Sequence, residues 1–263
     1  MTGCGRKIGP YDCCTVVCGD CLELMKVLPD GCVDAVITDP PYCSGAHESA
    51  RRGKREARTP ESVNSRPTIQ LDDMGLLGYQ WVTRQWFLDA RRFMLEGGSL
   101  ACFSDWRMTP FIQLMLETAG WRLTNVIVWD KTYPGLGSGF RAQHEFIVLA
   151  SNGQPNWFSY DYGNVIQSVR LTDTEHPHQK PVDIVEKIIQ TCSPEAGTVA
   201  DLFLGVGTTA VAAKKLGRHF LGFEISPEYC KIAEDRIALV EAQPNLFDKK
   251  RPETGRLELS QTP

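Results

Sequence analysis

Residues 198–209 read Thr198-Val199-Ala200-Asp201-Leu202-Phe203-Leu204-Gly205-Val206-Gly207-Thr208-Thr209, an apolar run broken by two glycines and followed by a helix-forming stretch through Lys214-Lys215-Leu216. A strand that is apolar on both faces belongs inside a covered sheet, and a glycine turn leading straight into a helix builds the strand–turn–helix unit of an α/β fold. The next apolar run, 220–223, ends at Glu224, 17 positions beyond Gly207. That is close to the spacing of about 20 at which a carboxylate on the second strand meets ribose hydroxyls.

Gly-x-Gly alone also marks ordinary turns, including tight ones that bind nothing. The third glycine that seats a pyrophosphate in dinucleotide binders is missing here, and Asp201 beside the turn would repel a pyrophosphate. An acid at that position suits a sulfonium and an amino-acid ammonium group, which points to S-adenosylmethionine.

A second buried strand, 33–38, carries Asp39-Pro40-Pro41-Tyr42 at its carboxyl end, the end of an open α/β sheet at which ligands bind. The exocyclic amino group of adenine or cytosine is a poor nucleophile, because its lone pair is delocalised into the ring. A carboxylate and a backbone carbonyl accepting its two N–H bonds favour the pyramidal geometry needed to attack a methyl group. Asp39 and the carbonyl of Pro40 fit those parts, Pro41 stiffens the turn, and Tyr42 offers a flat face to an extruded base. Alone, four such residues read equally as a stiff strand-ending turn. No Pro-Cys pair occurs in the chain, so attack through a cysteine at carbon 5 of cytosine has no candidate motif.

The remaining pattern predicts strands over 15–18, 99–103, 123–129 and 145–150. Helices are expected over 22–28, 79–95 and 110–119, from Pro181 in a first helical turn, and from the Ser226-Pro227 cap to about 240. The expected fold is a mostly parallel α/β sheet with an antiparallel hairpin, 123–129 with 145–150, at one edge. We read one catalytic domain over 11–240 with inserts at about 43–78 and 151–175, and a flexible tail over 241–263. Segment 51–58 holds five basic residues and one acidic, Arg51, Arg52, Lys54, Arg55 and Arg58 against Glu56, and is placed to meet phosphates; a solvated loop is the plainer reading. Asn156-Trp157-Phe158-Ser159-Tyr160 either contacts bases or packs a loop. A net charge of −4 excludes a histone-like polyanion binder but not a local DNA face. Cys14, Cys18 and Cys21 form C-x3-C-x2-C without an evident fourth ligand, so no metal is expected. No membrane span or signal segment is evident, and a cytoplasmic location is expected.

These motifs together resemble the amino (N6-adenine/N4-cytosine) DNA methyltransferases of bacteria and phages, in the subclass where Asp-Pro-Pro-Tyr precedes the cofactor motif. The resemblance also rests on Gly19-Asp20, Gln143-His144-Glu145, the His176-Pro177-His178-Gln179-Lys180-Pro181 run and Gly222-Phe223-Glu224-Ile225-Ser226-Pro227. It implies a Rossmann-like S-adenosylmethionine-dependent fold in circularly permuted order. Joining the end near Val240 to Tyr11 restores the usual walk from cofactor turn to Asp-Pro-Pro-Tyr. By resemblance Asp20 meets the cofactor's adenine and Glu224 its ribose. His178, Lys180 and Pro181 lie beside its methionine moiety, and Asp201, Phe203, Gly205, Gly207 and Thr208 form the turn. Asp at the first motif position implies adenine in double-stranded DNA as target, with N4 of cytosine as the alternative.

The family commonly has Asp-Pro-Phe-Ala-Gly-Ser-Gly-Thr-Thr, where this chain has Leu202, Leu204 and Val206. Those departures keep open a non-catalytic DNA-binding protein on a degenerate cofactor fold. Methylation of RNA or of a protein amide is a further alternative, the latter disfavoured by Asp39 in place of Asn. The resemblance is compatible with a homodimer. Gln243-Pro244-Asn245-Leu246-Phe247 looks like the short motif that docks replication proteins on the sliding clamp, with an ordinary tail contact as the alternative.

Overall fold

The computed structural model describes residues 4–42, 75–136, 138–169 and 179–242. In chain order these form β1 (Lys7–Ile8), β2 (Tyr11–Asp12), β3 (Thr15–Cys18), α1 (Cys21–Met25), β4 (Val33–Thr38), α2 (Leu76–Phe93), β5 (Met94–Ser104) and α3 (Thr109–Thr118). They continue with β6 (Arg122–Asp130), β7 (His144–Ser151), β8 (Val165–Gln167), α4 (Val182–Cys192), β9 (Thr198–Asp201), α5 (Thr208–Lys215), β10 (His219–Glu224) and α6 (Pro227–Ala242). Apart from the β1–β2 hairpin, the strands form one sheet in the order β3-β10-β9-β4-β5-β7-β6-β8.

Alternation along the central strands sorts side chains into two cores, one on each face. Val36, Leu100 and Cys102 face a core shared with Met25 of α1, Trp86 and Phe87 of α2 and Ile112 of α3. Ala35, Ile37, Ala101 and Phe103 face the other, with Ile184 and Ile188 of α4, Ala210 and Ala213 of α5 and Ile237 of α6. Helices on both faces of parallel strands explain why these strands read as continuous apolar runs. Among the described residues no helix is long and apolar enough to cross a membrane.

Strands β3, β10, β9, β4 and β5 run parallel, and β7 runs antiparallel to both β5 and β6. The hairpin of β6 and β7 therefore exists, but it is not the sheet edge, because β8 pairs beyond β6. Three-residue β8 comes from the second insert, where alternation over so short a run gives no periodic signal. β5 begins five residues earlier than the sequence pattern indicates: the register with β4 jumps from Val33↔Met94 to Ala35↔Ser99, and Gly97 sits at φ +78 within the irregularity. A bulge breaks the alternation from which a strand is read.

β9 ends at Asp201 and does not run on to Phe203 as the apolar run suggests, because Asp201 Oδ1 accepts the Phe203 N–H at 3.0 Å and turns the chain out of the ladder. Pro181 is the residue before helix α4, with an extended backbone at φ −62 and ψ 134, rather than a member of its first turn. The Asn156 to Tyr160 stretch packs as a loop. The amides of Asn156 and Phe158 donate to Gly97 and Thr191 carbonyls, and Tyr162 donates to Gln190 at 2.6 Å, at the C-terminal end of α4. That is the sheet edge opposite the carboxyl ends of the parallel strands.

Candidate active site

The carboxyl ends of β3, β10, β9 and β4 open on one cavity of about 420 Å³. It lies where the chain leaves β9 through α5 towards β10 and leaves β4 towards β5 on the other side, the switch point at which open α/β sheets bind ligands. Its wall includes Asp20, Asp39, Pro40, Pro41, Tyr42, Lys180, Asp201, Phe203, Gly205, Thr208 and Glu224. The two motifs that lie about 160 residues apart in the chain thus share one space.

The turn after β9 is held from both sides. Glu224 is buried and accepts the amides of Gly205 at 2.8 Å and Ser226 at 2.9 Å. Gly205 sits at φ +54 with nothing within 4 Å of where a Cβ would stand, so its backbone faces open space and a ligand can approach it closely. Gly207 does different work. At φ +85 a Cβ would stand 2.8 Å from Ala233 Cβ, so this glycine lets α6 pack on the turn and does not line the cavity. Leu204 fills the space over Gly222, where a Cβ would meet it at 2.5 Å. The larger residue at this family-variant position is thus accommodated by a glycine on β10.

Asp201 is 5% exposed. Burial pushes its carboxyl up from 3.8 to about 7, against hydrogen bonds from Thr209 and the Phe203 amide that favour the charge. Among the described residues no cation pairs with it, and a buried acid so placed is matched to a cationic ligand. Asp20 caps α1, its Oδ1 accepting the Leu22 amide at 2.9 Å, and its exposed side chain stands at the cavity mouth.

Asp39 is gripped by two donors. Tyr42 Oη donates to Oδ1 at 2.5 Å, and Lys180 Nζ lies 2.6 Å from Oδ2. The same ammonium is 3.4 Å from Glu145 Oε2, and Glu145 Oε1 pairs with Lys131 at 2.5 Å. Burial opposes the charge on Lys180, but Asp39 and Glu145 outweigh it and hold the ammonium above the ordinary lysine range. Burial likewise opposes ionisation of Glu145, yet Lys180 and Lys131 keep its carboxyl below the usual range. Burial first, then the Asp39 and Glu145 charges, push the Tyr42 phenol well above its ordinary value, so it remains a neutral donor. Lys180 also lies 5.3 Å from the Tyr42 ring centre and 5.4 Å from that of Phe103, fixing both rings beneath a cation.

The sequence reading placed Lys180 beside the cofactor's methionine moiety; the structure places its ammonium on Asp39. Pro181 is buried behind the cavity wall as the helix cap. His178, the Arg51, Arg52, Lys54, Arg55 and Arg58 cluster and the Gln243 to Phe247 motif lie outside the described residues. Sequence reasoning did not single out Trp86, whose ring packs edge-on to Phe203 at 4.5 Å and lines the cavity with Val82. An aromatic on a core-facing helix carries no signal that separates wall from core. Glu145 was legible only as part of Gln143-His144-Glu145, without its charge pairing.

Residues 33–235 match the model of a family described as DNA methylase, N6_N4_Mtase. Type II methyltransferase M.HinfI of Haemophilus influenzae is 26% identical over 261 residues, covering 88% of this chain and 70% of that protein. Among solved structures, the M1.HpyAVI–SAM complex aligns with a TM-score of 0.63 at 24% identity, covering 84% of this chain and 98% of that one. The cytosine-N4-specific PvuII DNA methyltransferase aligns with a TM-score of 0.66 at 16% identity, covering 84% and 85%.

Proposed function

Since this chain belongs to the N6/N4 family of DNA methylases, we propose that it transfers a methyl group from S-adenosylmethionine to N6 of adenine in double-stranded DNA. The observation that carries this reading is the single cavity shared by Asp39-Pro40-Pro41-Tyr42 and the 201–205 turn. The residues fit the cofactor. Buried Asp201 suits its ammonium, the bare backbone at Gly205 leaves room for close approach, and Glu224 and Asp20 offer acceptors for ribose hydroxyls and an adenine amine. When bound, the cofactor supplies an electrophilic methyl group.

The chain's own part is alignment and proton handling. A carboxylate has about four lone-pair sites, so Asp39 can accept an N6–H while Tyr42 and Lys180 keep it oriented. The Pro40 carbonyl accepts the second N6–H, and the two acceptors turn the nitrogen lone pair out of the base plane towards the cofactor side. As nitrogen gains its new bond it carries one proton too many, and Asp39 stands where that proton leaves. Tyr42 provides the face against which an extruded base stacks.

DNA then lies across the carboxyl-end edge of the sheet. The loop between β6 and β7 exposes Tyr133, Leu136 and Phe140 there, and the basic 51–58 segment follows Tyr42 by nine positions to meet phosphates. The adenine preference rests on Asp39 by family resemblance. Incubation with labelled cofactor and unmethylated DNA, followed by nucleoside analysis, should yield N6-methyladenine, strongly reduced in Asp39→Ala. Finding N4-methylcytosine instead would assign the other base, and no methylated base on diverse DNA would refute the reading.

A further inference from the structure

At the sheet edge away from the cavity, three cysteines and a histidine converge. His219 opens β10, five residues before Glu224 at its other end, and its Nδ1 lies 3.0 Å from Cys13 Sγ, 3.5 Å from Cys4 Sγ and 3.9 Å from Cys14 Sγ. Cys13 and Cys14 Sγ are 3.4 Å apart, and all four donor atoms lie within 4.8 Å of one another. A disulfide requires about 2.05 Å, so the adjacent thiols are not bonded.

Consecutive side chains of an extended strand point to opposite faces. Cys13 and Cys14 escape this because Cys14 sits at φ 62, in the left-handed region that non-glycine residues rarely occupy. Its amide still donates to Phe220 at 2.8 Å, so the backbone is fixed while both thiols aim at one point. The Cys13 amide donates to Arg6 at 2.9 Å, which folds the β1–β2 hairpin back and brings Cys4 over the same point.

We propose that Cys4, Cys13, Cys14 and His219 bind a structural zinc ion. A tetrahedral zinc with bonds of about 2.3 Å to sulfur and about 2.0 Å to nitrogen sets donor separations of about 3.8 Å between sulfurs and about 3.5 Å from sulfur to nitrogen. The sulfur-to-nitrogen separations, 3.0–3.9 Å, bracket the second value, and the 3.4 Å between Cys13 and Cys14 Sγ lies within about 0.4 Å of the first. Four protein donors close the coordination shell, which marks the site as structural and leaves no position for a water nucleophile.

Cys18 and Cys21 take no part. Cys18 Sγ is turned to the Ile225 carbonyl at 3.9 Å, and Cys21 is buried at the start of α1. Only Cys14 of the C-x3-C-x2-C pattern is a ligand.

The position of the site gives it a task. Among the described residues β3 is an edge strand that pairs only with β10, and Asp20 follows its end. In the motif order with the cofactor turn first, β3 would be tethered to α6; here it follows the β1–β2 hairpin. A metal joining residues 4, 13 and 14 to the start of β10 replaces that tether and holds β3 in register.

The test uses the full chain, without a histidine tag, purified under reducing conditions without chelators. Elemental analysis should find about one zinc per chain, natively or after reconstitution. Cobalt(II) replacement should give thiolate-to-cobalt charge transfer and tetrahedral ligand-field bands. Cys4→Ser and His219→Asn should lose zinc on dialysis. Cys4 is exposed, so its serine variant should keep the native circular dichroism even if the histidine variant does not fold. Zinc content near zero after reconstitution, a cobalt spectrum without charge transfer, or full retention by folded Cys4→Ser would overturn the proposal. So would a disulfide among these cysteines, seen as two missing hydrogens in the intact mass.

Discussion

The carboxyl of Asp201 offers a sharp test of how the cavity stores electrostatic energy. Asp201→Asn keeps shape and retains an oxygen for the Phe203 amide, but removes the titrating group. In the folded chain the carboxyl is pushed up from 3.8 to about 7 by burial. A group raised in the folded state contributes stability fully present below its unfolded value and lost as pH rises through the folded one. For the wild type that loss runs from about pH 4 to about pH 7 and then levels off. At about 1.4 kcal/mol per pH unit, the folded charge costs about 4 kcal/mol above pH 7 and about 2 kcal/mol at pH 5. Asparagine does not titrate, so the stability of Asp201→Asn relative to wild type should rise by about 2–3 kcal/mol between about pH 5 and pH 8. Urea unfolding of both proteins without cofactor at the two pH values measures this, and taking the difference cancels groups common to both. A gap between the two proteins that stays constant with pH would refute the reasoning. The same variant should bind S-adenosylmethionine more weakly at pH 8, since the ammonium then meets a neutral amide.

Lys180→Met should destabilise the fold by about 3 kcal/mol in chemical denaturation, because it leaves Asp39 and Glu145 facing one another without their shared cation; a loss under about 0.5 kcal/mol would show that solvent screens the pair. Gly207→Ala forces a left-handed alanine against Ala233 and should cost about 1–3 kcal/mol, read as a lowered melting temperature. Asp39→Ala should lower turnover by about 10²- to 10⁴-fold while cofactor affinity by calorimetry stays near wild type. A parallel loss of binding would mean the residue shapes the cofactor site instead.

What the sequence discloses follows from the range of the interactions involved. Strands β4, β9 and β10 are legible because burial on both faces imposes continuous apolar runs, and the glycine turn because the left-handed backbone at Gly205 and the close approach of Ala233 at Gly207 disfavour side chains. Features set by long-range pairing are not legible. β8 exists because Asp130 and its neighbours offer an open edge, and the bulge in β5 because the register with β4 must slip. The partner of Cys13 and Cys14 is His219, more than 200 positions away, and nothing in the spacing of the cysteines names it. Lys180 was legible as a site residue, but its pairing with Asp39 depends on geometry across the sheet.

Register explains why burial weighs so heavily on the carboxyl of Asp201. Asp201 is level with Gly222 on β10, two residues below Glu224. Glu224 is level with Cys18 on β3, so Asp20 stands two residues higher again. On the other side Val36 is level with Ala200, which puts Asp39 two residues above Asp201. At about 3.3 Å per residue, Asp201 is the floor of a crevice whose walls rise about 7 Å to Glu224 and Asp39 and about 13 Å to Asp20. Exposure follows height: Asp201 is 5% exposed and Glu224 9%, while Asp20 is exposed. Asp39, at the same height as Glu224, has Lys180 as a cation partner, and Glu224 has two amides. Among the described residues the floor acid has neither solvent nor a cation beside it, which is why burial pushes its carboxyl up. A ligand that settles in this crevice with its positive end lowest gains the most from the site, and that polarity orients S-adenosylmethionine with its amino-acid end on Asp201 and its adenine towards Asp20.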